Sequence, residues 1–173
     1  HNRDEVYRIS SKVAVILDGR VDAIAPKEPL FAHPPTYQSA LLTGCKNFSR
    51  VTRLDDTHVE ALDWGVTLTC QGPLSQDIRW IGVRPHFVHP VDRPGENVIS
   101  CRVLQVIDNL TDIIVMCATP GGEIRESQLY LRFRHLEWKQ YQNDSQLNLY
   151  FDPRAILPLQ GRGMGSTRPL NSK

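Results

Sequence analysis

The sequence between residues 47 and 151 is a succession of short extended runs separated by turn residues. In these runs apolar and polar side chains alternate with the period of a half-buried strand. Short strands with turn signals about every ten residues favour an antiparallel barrel or sandwich over a parallel sheet. We therefore predict a mainly β fold with strands in residues 47–54, 57–62, 66–70, 78–83, 97–108, 111–118, 127–133 and 146–151.

Two places in this region depart from simple alternation. Ile99, Cys101 and Val103 alternate regularly, but the phase slips at Leu104, which predicts a β-bulge of the kind that bends strands in small barrels. Residues 135–141 are compatible with either a helical turn or a strand.

The first 46 residues have a different character. An acidic first turn and a narrow apolar face predict a short helix at the start, which leads into a β-branched run at residues 13–17. Such a run is typical of a strand buried on both sides. Asp18-Gly19 then predicts a tight hairpin, and short helices are expected in residues 26–31 and 36–42, the second ended by Gly44. We place a domain boundary between residues 42 and 47.

Composition limits the classes of partner. The chain of 173 residues is 40% apolar and 23% charged, as in a soluble globular protein. Its net charge is +1, so no nucleic acid or other polyanion is indicated as a partner. No apolar run approaches the roughly 18 residues of a membrane span. Four scattered cysteines without CxxC pairs predict reduced, mostly buried thiols in a cytosolic protein: Cys45, Cys70, Cys101 and Cys117.

Motifs in the first 47 residues closely resemble the end of the nucleotide-binding domain of ABC transporter ATPases. His1 matches the family's switch histidine, which contacts the γ-phosphate, and Asp4-Glu5 follow it as in the family. The Lys-Val-Ala-Val run at residues 12–15 resembles the family's strand, with Lys12 in place of the usual arginine, and Gly-Arg-Val at residues 19–21 resembles its turn. The resemblance implies that His1 is catalytic in the parent protein only.

Later motifs narrow the resemblance. Thr-Gly-Cys-Lys-Asn at residues 43–47, followed by Asp-Trp-Gly at 63–65, looks most like importers of molybdate, tungstate or sulfate. Ile-Gly-Val-Arg-Pro at 81–85 and Leu-Tyr-Phe-Asp-Pro at 149–153 resemble the transport-associated OB-like (TOBE) barrel that follows the ATPase domain there.

The resemblance implies a division of the chain and a place for it in a larger assembly. Residues 1–44 would be a remnant of the nucleotide-binding domain, 45–160 a TOBE-like β-barrel, and 161–173 a tail outside the fold. The parent would use ATP and Mg²⁺ to drive anion uptake. Its partners would be a second copy of the subunit and the transmembrane permease subunits, so it would lie in the cytoplasm on the inner face of the membrane.

This chain by itself is not predicted to hydrolyse ATP or to carry a cofactor. The sequence contains no G-x-x-x-x-G-K-S/T phosphate loop, no signature motif and no acidic strand-end pair. Two alternatives remain open: the same region of a polyamine, sugar or ferric iron importer, and a stand-alone oxyanion-binding module. Separated from a parallel sheet, the strand at residues 13–17 is expected to pack on the barrel, pair with another chain or be rearranged.

Candidate anion-binding residues are Lys46, Asn47 and Arg84, which could donate to a tetrahedral anion or could simply form a hydrogen-bonded barrel mouth. Molybdate-type members of the family carry a Ser-Ala-Arg-Asn stretch before a barrel strand. In this chain the equivalent stretch is residues 94–98. Only Asn97 matches the family's stretch, and Glu96 would repel an oxyanion.

Other reactive or aromatic residues are assigned structural roles. His86 and His89 are three residues apart, which on an extended strand places them on opposite faces, and no thiolate or carboxylate cluster joins them. We therefore predict no metal site. The tryptophans are expected to be core or interface anchors: Trp64, Trp80 and Trp138.

Overall fold

The computed structural model describes residues 3–122 and 125–161, which form three sheets and four short helices. The N-terminal segment contains α1 (Arg3–Ile9), β1 (Lys12–Leu17), β2 (Arg20–Pro26), α2 (Lys27–Ala32) and α3 (Tyr37–Leu42). It is followed by β3 (Asn47–Arg53), β4 (His58–Ala61), β5 (Val66–Thr69), β6 (Ile78–Val83) and β7 (Val88–Val91). The chain continues with β8 (Val98–Asp108), β9 (Ile113–Ala118), β10 (Gln128–Phe133), α4 (His135–Trp138), β11 (Gln146–Phe151) and β12 (Leu157–Gln160).

Ten of these strands build two five-stranded antiparallel sheets. The first sheet has the order β12-β6-β3-β4-β5, and the second has the order β10-β9-β8-β11-β7. The largest buried cluster draws on both sheets, from Val51 and Ile81 in the first to Val115 and Leu149 in the second. The prediction of a mainly β chain with small antiparallel, OB-like sheets is confirmed.

The two sheets repeat one topology. In each, a three-stranded meander (β3-β4-β5 or β8-β9-β10) is followed by a fourth strand that pairs with the first strand of its own meander. The fifth strand of each half then pairs in the sheet of the other half. β7 pairs with β11 in the second sheet, and β12 pairs with β6 in the first. We call residues 47–91 the first half and residues 98–160 the second half.

The equivalent turns of the two halves meet. The Gly121 N–H, between β9 and β10, donates to the Trp64 carbonyl, between β4 and β5, at 3.0 Å. A Cβ at Gly121 would lie only 2.2 Å from the Asp63 carbonyl oxygen. No side chain larger than hydrogen fits in this approach, so this contact between the two turns requires glycine.

The tryptophans lie largely as predicted. Trp64 is fully buried and its ring centroid is 5.5 Å from that of Phe151, and Trp138 is 8% exposed beside Phe133. Trp80 is half-buried and its ring centroid is 5.0 Å from that of Tyr37, where α3 meets the first sheet. These rings therefore join elements that are distant in the sequence.

The N-terminal hairpin forms where predicted, but its burial is not as predicted. Asp18 and Gly19 adopt the left-handed conformation of a tight turn, with φ of 51° and 74°. In β1 only Val15 is buried, while Ile16 of β1 and Ile24 of β2 are 63% and 58% exposed. The expectation of a strand buried on both sides is wrong, because the β1–β2 pair is a sheet of its own and one face carries no covering element within the described residues. We expected this strand to pack on the barrel, to pair with another chain or to be rearranged. Within the described residues it pairs with β2.

Helix α3 connects the N-terminal segment to the first sheet. Thr36 caps it in a reciprocal arrangement with Ser39, and the Gln160 N–H of β12 donates to the Pro35 carbonyl at 3.0 Å. A small second core lies beneath the helix and contains Ala40, Cys45, Leu157 and Leu159.

Several finer predictions can be compared with the structure. The bulge expected at Leu104 is confirmed by a register shift between Val103 and Gln105. The ambiguous segment at 135–141 begins as the short helix α4. Strands β7 and β12 were not predicted. The tail predicted at residues 161–173 lies outside the described residues except for Gly161.

Candidate functional site

Asn47 ties the start of β3 to the far edge of the second sheet. Its side chain is fully buried; Oδ1 accepts from the Tyr130 N–H at 2.7 Å, and Nδ2 donates to the Tyr130 carbonyl at 3.0 Å. The side-chain amide thus makes the two hydrogen bonds to β10 that a neighbouring strand would make, and both of its polar atoms are used. We call this side-chain pairing to an edge strand a clamp. Of the three predicted anion-binding residues, Asn47 therefore uses its side chain to join the two sheets.

Lys46 and Arg84 flank this clamp at the same end of one ladder. Asn47 pairs with Val83 in the β3–β6 register, so Lys46 and Arg84 each lie one residue beyond that pair, on neighbouring strands. Asn47 and Val83 are both buried, whereas Lys46 is exposed and Arg84 is half-buried. The structure thus brings two of the predicted cations together at the mouth of the first sheet.

Arg84 also reaches the N-terminal segment. Its Nη2 donates to the Phe31 carbonyl of α2. Burial lowers the pKa of the Arg84 guanidinium, the neighbouring Cys45 thiol acts in the opposite direction, and the positive charge of Arg3 lowers that pKa further. Since the pKa of an arginine starts above 12, the group stays cationic at neutral pH.

Arg3 is a third cation at this end, and it was not predicted. Its Nη1 lies 2.1 Å from the position that a Cβ would take on Gly44, whose φ is +107°. Because Arg3 belongs to α1 and lies 43 positions before Lys46, no local pattern in the sequence connects the two. We call Arg3, Lys46 and Arg84 the basic end.

A second asparagine repeats the clamp in the other half. Asn97 is 5% exposed; Oδ1 accepts from the Thr69 N–H at 2.7 Å, and Nδ2 donates to the carbonyls of Thr69 at 2.7 Å and Phe151 at 3.0 Å. It precedes β8 as Asn47 begins β3, and it holds the edge strand β5 of the opposite sheet. Its φ of 56° is one that asparagine tolerates better than most residues.

His86 and His89 line a cleft of about 510 Å³ between β7 and β10, together with Arg132 and Arg134. The expectation that the two histidines face opposite sides of a strand is wrong, because Pro85–Phe87 forms a 3₁₀ turn before β7 starts. Burial, and then the charges of Arg84, Arg132 and His89, lower the pKa of His86, so its ring is neutral at pH 7.

The guanidinium groups of this cleft already have carboxylate partners. Arg132 is paired with Asp112, and Arg134 Nη2 is 2.6 Å from Glu137 Oε1. The charges of these arginines in the cleft are therefore balanced. Within the part of the chain that the structure describes, no three His, Cys, Asp or Glu side chains group closely enough to hold a metal ion.

The thiols are buried, as predicted, and free of disulfides. Burial raises the pKa of Cys45 to about 12 and that of Cys70 to about 11, so neither is a thiolate at neutral pH. Desolvation has the same effect on Cys101 and Cys117, whose pKa values are also raised. These side chains behave as small apolar groups in the core.

The helix starts of the described residues bear on the question of ATP and Mg²⁺. Helices α2, α3 and α4 begin after Pro26, Thr36 and Arg134 and not after a glycine-rich loop with a lysine. His1, the histidine predicted to be catalytic in the parent, lies outside the described residues. None of the helices in residues 3–122 and 125–161 has the length and apolar character needed to cross a membrane.

The fold is that of a two-sheet antiparallel β protein with a cluster of cations at the basic end. Among solved structures, the chain is similar to the cytoplasmic molybdate-binding protein ModG in a form with molybdate bound, at 11% identity and a TM-score of 0.48. The match covers 64% of this chain and 92% of that chain. No protein-family model matches the sequence, and the comparison with curated proteins finds no match.

Proposed function

We propose that this chain binds a tetrahedral oxyanion of the molybdate, tungstate or sulfate type at its basic end. The observation that carries the proposal is the position of Lys46 and Arg84 opposite each other, one residue beyond the Asn47–Val83 pair, with Arg3 close enough to Arg84 to lower its pKa. A doubly charged oxyanion is favoured where several N–H donors converge on a rigid backbone, because charge-assisted hydrogen bonds are about twice as strong as neutral ones. The clamp supplies that rigidity.

The position of the basic end suggests what binding would do. Lys46 directly precedes β3 and Arg84 directly follows β6 of the first sheet, while Arg3 and the Phe31 carbonyl belong to helices of the N-terminal segment. An anion held by all three cations offsets the repulsion between Arg3 and Arg84. Binding therefore favours the arrangement in which α1 and α2 are docked on the β-sheets, which is a simple means of regulation.

We further propose that the chain is the C-terminal accessory region of the ATP-binding subunit of an ABC importer for such an anion. The support is the order of the motifs: the ATPase-like segment is the helix and hairpin α1-β1-β2, and the barrel-like motifs at 81–85 and 149–153 end equivalent strands, β6 and β11. In that setting the protein acts in the cytoplasm against the permease, as one of two subunit copies, with ATP and Mg²⁺ held by other parts of the subunit.

Isothermal titration with molybdate, tungstate and sulfate tests the binding proposal. We expect binding to the unaltered protein and a loss of at least about tenfold in affinity for Lys46→Ala and Arg84→Ala, since a hydrogen bond to a charged group contributes about 1.5–3 kcal/mol. Lys139→Ala, which removes an exposed lysine next to α4, is the control and should leave the affinity unchanged. Absence of heat with all three anions would refute the proposal.

The importer proposal has a separate test. The gene should encode a phosphate loop upstream of His1, and the encoded subunit should copurify with a permease and hydrolyse ATP. A natural protein without that loop would leave the stand-alone oxyanion-binding module. Titration with spermidine, maltose and ferric iron distinguishes the other cargo classes, because a cationic or neutral ligand gains nothing from three converging cations.

A further inference from the structure

The duplicated topology makes Lys46 and Arg84 of the basic end comparable with residues in the second half. Asn47 pairs with Val83 across β3 and β6, and Asn97 meets Phe151 across the start of β8 and the end of β11, where the Phe151 N–H donates to the Asn97 carbonyl at 2.9 Å. The two asparagines make the same side-chain clamp to the edge strand of the opposite sheet. The two pairs are therefore structurally equivalent.

The flanking residues at the two ends have opposite charge. The residue before the clamp is Lys46 in the first half and Glu96 in the second. The residue after the partner strand is Arg84 in the first half and Asp152 in the second, and a proline follows each of them. We call Glu96 and Asp152 the acidic end.

Hydrogen bonds hold both carboxylates of the acidic end in place. Thr69 Oγ1 donates to Glu96 Oε1 at 2.7 Å. Arg154 donates from Nε and Nη2 to the two oxygens of Asp152, at 3.0 and 2.7 Å, and these bonds hold the pKa of Asp152 near 2. The residue equivalent to Arg154 in the first half is His86, so the basic end has no matching ion pair at that position.

We infer that the two ends are versions of one site whose ligand is selected by these two flanking charges, and that only the basic end takes an oxyanion. The inference rests on the proposed function and deepens it: the protein binds one anion per chain although its framework offers two equivalent positions. At the acidic end the same backbone presents two carboxylates, and an oxyanion placed there would meet like charge.

The N-terminal segment adds to the difference between the ends. Arg3 and the Phe31 carbonyl lie at the basic end, because α3 attaches this segment to β12 and β6 of the first sheet. A cation supplied by α1 therefore has no counterpart at the acidic end within the described residues.

The test converts the acidic end into a basic one and counts anions. Isothermal titration and equilibrium dialysis with molybdate should give a stoichiometry of one for the unaltered protein and two for the double variant E96K/D152R. The reciprocal variant K46E/R84D should bind none. Circular dichroism and thermal melting establish that each variant is folded, and Glu96→Lys alone, which retains the Asp152–Arg154 pair, serves if the double variant does not fold.

The outcomes separate the two proposals. A stoichiometry of one in both the unaltered protein and the folded E96K/D152R or Glu96→Lys variant overturns the inference but leaves the proposed function standing. A stoichiometry of two in the unaltered protein also overturns the inference. No binding by the unaltered protein refutes the proposed function itself, and the inference falls with it.

Discussion

Replacing Asn97 by glycine removes the side-chain clamp while allowing the same left-handed backbone conformation at residue 97. Glycine adopts a φ of 56° at no steric cost, so in the folded state the variant loses only the side-chain amide. Three hydrogen bonds disappear with it: two to the backbone of Thr69 and one to the Phe151 carbonyl. At about 1 kcal/mol each, their loss should lower the free energy of unfolding by about 3 kcal/mol.

Two further variants separate the contribution of the backbone conformation from that of the side-chain hydrogen bonds. Asn97→Ala should cost about 1 kcal/mol more than Asn97→Gly, because a Cβ penalises the left-handed conformation. Asn47→Ala breaks two such bonds and should cost about 2 kcal/mol. Asn143→Ala, at an exposed turn position, is the matched control and should change stability by less than about 0.5 kcal/mol.

Urea denaturation followed by tryptophan fluorescence measures these differences. Trp64 is fully buried and packs against Phe151, whose carbonyl accepts a hydrogen bond from Asn97, so its emission reports directly on this region. If Asn97→Gly were as stable as the unaltered protein to within about 0.5 kcal/mol, or if alanine were tolerated better than glycine, the clamp would not have the role described.

Three other perturbations follow from close contacts and burial. Gly121→Ala should destabilise the protein by about 1–3 kcal/mol in the same denaturation assay, because its Cβ would overlap the Asp63 carbonyl. Gly95→Ala is the control and should be neutral, since the nearest neighbour of its Cβ would be 3.9 Å away. Equal effects of the two substitutions would contradict this explanation. Asp63→Ala should cost about 2–3 kcal/mol, because this buried carboxylate accepts from the backbone N–H and the guanidinium of Arg50, and exposed Asp77→Ala is the control. Native thiols should resist iodoacetamide at pH 8 and react fully in denaturant, as read by mass spectrometry. Since the folded-state pKa values are raised, stability should be intact below the ordinary thiol pKa of about 8.5 and should fall as the pH rises above it; rapid labelling of the native protein would contradict the burial of Cys45, Cys70, Cys101 and Cys117.

Local patterns predicted most strands because a two-residue period and a turn are properties of neighbouring residues. The two strands that were missed, β7 and β12, contain Pro90 and Pro158. Proline interrupts the pattern of a central strand, and both strands indeed lie at the edges of their sheets, where proline is tolerated. Their positions follow from the crossing between halves, which no local pattern encodes.

The burial of β1 could not be predicted for a related reason. A run of β-branched residues indicates a strand, but its burial depends on what lies against each face, and that is a property of the tertiary structure. In this chain the hairpin keeps Ile16 and Ile24 exposed on one face.

The candidate site shows the same division between local and distant information. Lys46 and Arg84 were predicted as cations beside strands, and the register of β3 and β6 brings them together. The clamp of Asn47 depends on Tyr130, 83 positions away, and Arg3 approaches from α1. The charge reversal at Glu96 was visible in the sequence, but its meaning depends on the equivalence of the two halves.

The exchange of β7 and β12 between the sheets has a consequence for how the molecule holds together. Each half completes its partner's sheet with its own last strand, as in a domain-swapped dimer whose two subunits are joined by a linker. A proteolytic cut in residues 92–96 should therefore leave two peptides that remain associated, and neither peptide alone should form its full sheet. The two halves of this single chain are therefore held together by exchanged strands as well as by the peptide link between them.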